Sequence, residues 1–589
     1  MQNPNTFYTE QLKKHQLEVK TIFKQLTGLS FARLFVFLAT SIGVYFSFST
    51  LQIAIPLGLV GVVGFIYLLS RYTDVKYQYN LKKALVVINE EELKIASGDF
   101  HDRNEGLAFL NPNHAYSLDI DLFGKGSFFQ YMNRTVTQEG TNTLVNALTA
   151  NGIESIVTRQ ESIKELAQKP EWRQQFLGIA SLIEIETSTK QITDWLKKYQ
   201  PFLPKAIAWL PLTFTIGSLI ILGLGVFEVI SYLFLGYWLL TGLGITGLYL
   251  KKVNSLASNT DKIKDTFRQY AALLNQIENE TFTSKLLKNK QLDIQQEHKK
   301  ASAIFSKFSK HLDALDNRNN FVSAIFGNGY FLSDLKNTYK IEQWIALHKN
   351  TVTNWFEVVS FFDAYISLGN YTFNHPDYVF PEIVEGNTII KSKDLGHPLL
   401  AKTKRIASDL LIDDQQFFIV TGANMAGKST FLRTVSLHIV MANVGLPVCA
   451  TSSQYHPVKL ITSMRTSDSL TDDSSYFFSE LTRLKFIVDA LEKESYFIIL
   501  DEILKGTNST DKAIGSRKFV EKLVSKNATG IIATHDLSLC EIEKELDDVK
   551  NYYFDAQIIN DELFFDYKLK QGICQNMNAS FLLKKMEIV

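Results

Sequence analysis

Thr421-Gly422-Ala423-Asn424-Met425-Ala426-Gly427-Lys428-Ser429-Thr430 follows the apolar run Phe417-Phe418-Ile419-Val420 and precedes Phe431-Leu432-Arg433-Thr434-Val435. The run reads as a buried strand and the text after the loop as a helix, with GxxxxGKS spacing between them. Glycines at both ends let backbone N–H groups curl around phosphates, and the helix N-terminus adds the positive end of its dipole. Lys428 is placed to reach the β- and γ-phosphates of ATP, and the Ser429 hydroxyl to bind Mg²⁺. The whole stretch from Gly422 to Thr430 is the candidate nucleotide-binding loop.

Two elements further along fit this loop. Phe497-Ile498-Ile499-Leu500 is a second apolar strand, ending in Asp501-Glu502. A carboxylate at the end of a parallel strand beside a phosphate loop is placed to hold Mg²⁺, and the next can polarise the attacking water. Asp501 is therefore the candidate metal residue and Glu502 the candidate general base. Ile531-Ile532-Ala533-Thr534-His535-Asp536 brings a third strand to a histidine suited to sense the γ-phosphate. From about residue 378, short β-like runs alternate with helical ones, which predicts a mostly parallel sheet with crossover helices.

Upstream the text differs. At 589 residues the chain is too long for one core, and two to four folded units are expected. No charged residue occurs from Leu34 to Ser70, and Glu228 is the only charge from Ala206 to Leu250. Each stretch has room for two apolar helices near the ~20 residues that cross a bilayer. Lysines and arginines flank both stretches and are absent from the short connections inside them. The charge asymmetry predicts two hairpins, four spans in all, with every soluble part in the cytoplasm. The expected location is the inner (cytoplasmic) membrane, multi-pass. The first stretch begins too far from Met1, and lacks a small-residue cleavage site, for a secretory signal.

The resulting organisation is an N-terminal helix (1–30), a transmembrane hairpin (31–72), a helical region (75–200), a second hairpin (206–250), a helical lever-like region (251–378) and an α/β nucleotide-binding domain (379–589). Lys+Arg and Asp+Glu are both 61, so binding to nucleic acid would need a local basic surface rather than a basic protein. Cys449, Cys540 and Cys574 form no CxxC pair, which fits buried thiols better than a disulfide framework or a zinc site.

With these residues in view, the chain resembles the MutS family of DNA mismatch-repair ATPases, within the wider ABC-type group. The likeness rests on Asn424-Met425 inside the loop and Phe431-Leu432-Arg433 after it, and on Leu500-Asp-Glu-Ile-Leu-Lys-Gly-Thr-Asn-Ser-Thr-Asp. Ala533-Thr534-His535 is similar to the family's switch histidine, and Gly396-His397-Pro398 to the His-Pro that opens its ATPase domain. Ser475-Tyr476-Phe477-Phe478-Ser479-Glu480 resembles the element that contacts nucleotide across the dimer interface. The resemblance thus implies an ATP- and Mg²⁺-dependent homodimer, with Ser475 acting in trans. It extends more weakly to Leu118-Asp-Ile-Asp-Leu-Phe-Gly and to Ala364-Tyr-Ile-Ser-Leu-Gly, the family's helical core and lever ends.

The departures bear on function. Nothing before residue 115 resembles the Gly-x-Phe-Tyr-Glu element that wedges beside a mismatch, and the second apolar stretch stands about where a DNA clamp would interrupt the levers. Three readings stay open: a membrane-anchored MutS-type ATPase acting on DNA, a membrane mechanoenzyme driven by the same ATPase, and a transporter. The last is disfavoured by spans holding one charge.

Overall fold

The computed structural model describes residues 3–183, 187–296, 299–316, 318, 320–465, 476–559 and 562–575. Two long helices open it, α1 (Pro4–Ser47) and α2 (Leu51–Ala96), of 44 and 46 residues. They pack against each other as an antiparallel hairpin. Pro4 takes the first helical position of α1, where its missing N–H costs nothing, and Asn3 caps the next two amides. Gly28 does not interrupt the helix, and α1 runs unbroken from the expected N-terminal helix into the apolar segment. Around the tip, Phe35, Phe46, Val60 and Val63 are exposed, an outward apolar surface that water does not favour. Both helices are long and apolar enough to cross a membrane.

The lower ends of this hairpin bury a few polar residues, His15, Asn89 and Glu92, among apolar ones. α3 (Gln138–Thr149), α4 (Ile156–Ala167) and α5 (Pro170–Ala180) follow and form the first part of the helical body. The second apolar stretch forms α6 (Leu210–Val226) and α7 (Leu233–Gly247), of 17 and 15 residues. At 1.5 Å per residue these reach roughly 25 and 22 Å, short of a ~30 Å hydrocarbon core. α8 (Leu250–Thr260) continues from α7 at an angle of 66°. The four-span expectation is therefore met by length in two helices, or three if α7 and α8 form one bent span. The cause lies in the text: Phe227-Glu228 starts a turn in which Glu228 takes φ +58°, and this ends α6 early.

Further along come the longer helices α9 (Lys264–Asn279), α10 (Ala301–Asp316), α11 (Phe321–Phe331), α12 (Ser333–His348) and α13 (Val352–Asn374). α13 is the axis of the body. Its residues from Val358 to Phe373 are almost all buried, against α3, α4 and α5 among others. A helix buried on all sides needs neighbours that enclose it, and its buried polar residues need partners, as Asp363 has in Thr137.

α13 leads into two sheets. The smaller joins β1 (Glu382–Ile383), β2 (Thr388–Leu395), β3 (Ser408–Asp413) and β5 (Ser452–Tyr455) in the order β1-β5-β2-β3, with β2 antiparallel to both neighbours. The larger contains β4 (Phe417–Gly422), β6 (Lys459–Ser463), β7 (Tyr496–Asp501), β8 (Thr529–Ala533), β9 (Val549–Ile559) and β10 (Glu562–Gln571). Its order is β10-β9-β4-β8-β7-β6, parallel except for the β9–β10 hairpin. β4 is buried at every position, as a central parallel strand covered on both faces must be. The helices α14 (Lys428–Val444), α15 (Tyr476–Leu491) and α16 (Ser509–Ser525) complete this mixed α/β domain.

Candidate functional site

Parallel register sets the site. Ala533 of β8 pairs with Val420 of β4 on one side and with Asp501 of β7 on the other. The carboxyl ends of the three strands therefore open at one edge. The segments leaving them, 422–428, 501–506 and 534–536, meet there.

Gly427 caps α14 with φ +102°, a left-handed conformation, and a Cβ on it would stand 3.0 Å from the Tyr567 ring. Lys428 is buried, and its Nζ donates to the carbonyls of Gly422 (2.8 Å) and Ala423 (3.0 Å). Burial lowers its pKa, an effect the Glu502 and Asp501 carboxylates oppose. Ser429 Oγ donates to Asp501 Oδ2 at 2.7 Å. In the loop, Asn424, Met425 and Thr430 are exposed, Ala423 and Gly427 half-buried, Gly422 and Ala426 buried.

Glu502 adopts φ +50°, uncommon for a residue with a side chain. Its amide donates to Ala533 O at 2.9 Å, so the chain turns at the strand end and swings the carboxylate toward β8. Glu502 Oε1 lies 2.9 Å from His535 Nε2. That hydrogen bond holds the Glu502 pKa down to about 2; burial pulls the other way, and the charges of His535, Lys505 and Lys512 add to the lowering. Lys428 Nζ lies 3.3 Å from the same nitrogen. Because the carboxylate is the acceptor, His535 carries its hydrogen on Nε2 and faces Lys428 without accepting from it. Lys428, Ser429, Asp501, Glu502 and His535 are thus one connected cluster. Ser475 lies outside the described residues.

Several residues lie in stretches the sequence already marked, but their contacts were not legible there. Glu480 on α15 is buried, and its Oε1 accepts from the Lys505 amide, tying that helix to the turn after Glu502. Asp119 Oδ2 accepts from Thr462 Oγ1 (2.6 Å) and Asp119 Oδ1 from the Arg465 amide (2.8 Å). Arg433 on α14 donates to Asp119 O and pairs with Asp121 at 3.3 Å. The Leu118–Gly124 text, read as the start of the helical core, is therefore a dock for the helix that carries the loop.

Beside the loop opens a cavity of about 400 Å³ lined by Leu395, His397, Phe431, Phe554 and Tyr567 among others. Burial pushes His397 down to about 4, leaving a neutral ring at pH 7. Phe554 and Tyr567 belong to the β9–β10 hairpin. Aromatic-rich runs on either side of Asn560-Asp561, Tyr552-Tyr553-Phe554 and Phe564-Phe565-Asp566-Tyr567, are the signal in the sequence for such a hairpin. Cys449, Cys540 and Cys574 are buried and unbridged.

Comparison with known proteins places this region. The family model for MutS domain V matches residues 418–585. The chain is 33% identical over 244 residues to human MutS protein homolog 4, covering 39% of this chain and 25% of that protein. It is 34% identical over 229 residues to the DNA mismatch repair protein MutS of Thermodesulfovibrio yellowstonii, covering 37% and 26%. The corresponding protein of Bacteroides fragilis is 30% identical over 221 residues, covering 36% and 25%. The aligned region is about a quarter of the length of each of these relatives. Residues 418–585 match the model of MutS domain V, and over that region the chain is similar to MutS proteins.

Proposed function

We propose that this chain is a membrane-anchored ATPase of MutS type that binds and hydrolyses ATP with Mg²⁺, works as a homodimer and keeps its soluble parts in the cytoplasm. The observation that carries the reading is the convergence of Lys428, Ser429, Asp501, Glu502 and His535 at one sheet edge. The loop from Gly422 to Thr430 would cradle the phosphates with backbone N–H groups at the start of α14. Lys428 would exchange its two carbonyl partners for the β- and γ-phosphate oxygens, a stronger charged pairing. The cavity of His397, Phe431, Phe554 and Tyr567 has aromatic walls suited to stack a nucleobase.

The fit to Mg²⁺ rests on donor chemistry: a hydroxyl and a carboxylate, all oxygen, already 2.7 Å apart at Ser429 and Asp501. Those two residues would hold the ion, which when bound neutralises charge on the phosphates. Glu502 would act as an anion that accepts a hydrogen bond from the attacking water, because a carboxylate held near pKa 2 retains no proton at pH 7. His535, donating to Glu502 and facing Lys428, would link the water-orienting group to the phosphate-binding one. Ser475 would complete the partner's site.

A second reading concerns output: a mechanoenzyme in which ATP-driven closure moves the helical and apolar parts. The favouring observation is a buried polar junction. Glu92 of α2 pairs with Arg134 at 2.5 Å and accepts from Asn370 and Asn374 of α13, each at 2.9 Å, while Tyr8 of α1 donates to Asn374 at 2.7 Å. The apolar hairpin is thus tied to the helix that enters the ATPase domain. DNA as substrate is the other output, taken from what the relatives' names say they do.

ATP binding and turnover by the full-length protein in detergent or vesicles test the proposal. Lys428→Ala is expected to lose ATP binding while keeping the wild-type circular-dichroism spectrum; unchanged binding would overturn the assignment. Absence of salt-sensitive binding to duplex, mismatched and branched DNA would remove the DNA output and leave the mechanical one.

A further inference from the structure

α11 lies within the region read from sequence as a soluble lever, yet it packs on both helices of the second apolar hairpin, α6 and α7. The approach to α7 is backbone to backbone. A Cβ on Gly242 would run into the Gly329 carbonyl, and one on Gly329 would stand 2.7 Å from Leu239 Cγ. Small residues that let helices touch in this way are characteristic of contacts inside bilayers.

Ser218, Trp238 and Tyr330 face inward at the contact and hydrogen-bond across it. Ser218 Oγ of α6 donates to Tyr330 O at 2.6 Å, Trp238 Nε1 of α7 donates to Ser218 Oγ at 2.8 Å, and Tyr330 OH donates to Leu235 O at 3.2 Å. Lipid demands this, because it offers backbone carbonyls no water. The outer face is the reverse: Phe321, Val322 and Phe326 are 77%, 61% and 51% exposed, with Ser323 the exposed polar side chain among them.

Depth follows from the register. Ser218 is eight residues into α6 and Leu239 eight residues from the end of α7, so α11 meets the hairpin roughly 12 Å above its base. That is inside one leaflet, whose apolar half is ~15 Å thick. The base itself is marked by α12, where Glu342 accepts from Tyr199 OH and from the amides of Phe202 and Leu203, just ahead of the hairpin. Lys336 and Lys340 sit earlier on α12, and Lys307 on the neighbouring α10. Lys340 has its pKa lowered by burial and by the charges of Lys336 and Lys307. These like charges converge where an anionic counterpart would relieve them.

Resting on the membrane reading above, we propose that α11 is itself a lipid-embedded helix. It enters the cytoplasmic leaflet of an anionic bilayer beside α6 and α7, with Lys307, Lys336 and Lys340 at headgroup level. The second apolar body then has three helices and occupies one leaflet, rather than forming two full spans.

The buried native cysteines leave a single introduced cysteine free for labelling. Full-length Phe326→Cys carrying an environment-sensitive fluorophore would be reconstituted in phosphatidylcholine vesicles containing phosphatidylglycerol. Val63→Cys on α2, labelled in the same way, would report on the membrane reading. Acyl-chain quenchers are expected to quench both labels to a similar degree, and aqueous iodide to quench neither appreciably. Iodide quenching of the α11 label with lipid quenching of the α2 label would overturn the proposal alone; iodide quenching of both would overturn the membrane reading. Protection of the α11 label from both quenchers would mean a protein partner covers α11, and would also overturn the proposal. Lys336→Glu with Lys340→Glu should raise iodide access to the α11 label several-fold; no change would remove the lysines from the headgroup contact.

Discussion

Glu502 and His535 hold each other in a geometry with a measurable pH signature. The folded Glu502 carboxyl titrates near 2, below its ordinary value of 4.5, chiefly through the His535 hydrogen bond. A group whose pKa falls on folding stabilises the native state above its unfolded pKa, and the contribution is lost as pH falls from about 4.5 toward 2. Denaturant titrations of the wild type should show this loss, and His535→Ala should show a smaller one over the same window. Equal slopes would mean that the pair is not formed in solution. Glu502→Gln keeps the shape and removes the charge, so ATP should still bind while turnover falls by about 10²–10⁴-fold. Turnover equal to wild type would take Glu502 out of the mechanism. Each of these residues was legible beforehand because motif and strand end coincide. Their pairing with one another was not, since hydrogen bonds across strands have no trace in linear spacing.

At the scale of elements, the junction of α1 and α2 with α13 matters most. Arg134 and Glu92 are both buried, and Arg173 of α5 donates to Asn370 at 2.6 Å in the same cluster. Removing one member of a buried ion pair leaves the other uncompensated, at a cost of about 3–5 kcal/mol. Glu92→Ala should therefore lower unfolding stability by that order, read from chemical denaturation, while Lys82→Ala at the partly exposed pair with Glu18 should cost under about 1 kcal/mol. If the two variants were equally stable, the junction would carry no special load. Hydropathy reveals the apolar tip of this hairpin clearly. It says nothing about the polar root, because Glu92, Arg134 and Asn370 are far apart in sequence and look like surface residues one at a time.

Across the whole molecule, α13 joins three things: the apolar hairpin, the helical body and the α/β domain, where Val379 pairs with Val448 just beyond its end. A mechanical output predicts that deleting residues 31–72 abolishes cellular function while leaving ATP binding intact; retained function would sink that output. If Ser475 completes a partner's site, ATPase rate should rise more than linearly with protein concentration below the dimer affinity. A strictly linear rise down to the lowest dilution would argue for a self-sufficient protomer.

Linear sequence was enough for the strand–loop–helix at 417–435, the carboxylates at the end of β7, the histidine after β8 and the apolar character of 34–70 and 206–250. These are local: strand burial, glycine conformational freedom and the absence of charge act over a few residues at a time. Tertiary structure alone decided that α6 and α7 fall short of full spans, that α11 joins them through the Gly242–Gly329 contact, that Asp119 and Asp121 dock the helix carrying the loop, and that Phe554 and Tyr567 wall the adjoining cavity. Each depends on a meeting of distant segments, set by packing and by where buried polar groups can find partners. The loop from Thr421 to Thr430 was visible in ten residues; what it is coupled to became visible only in the tertiary structure around α13.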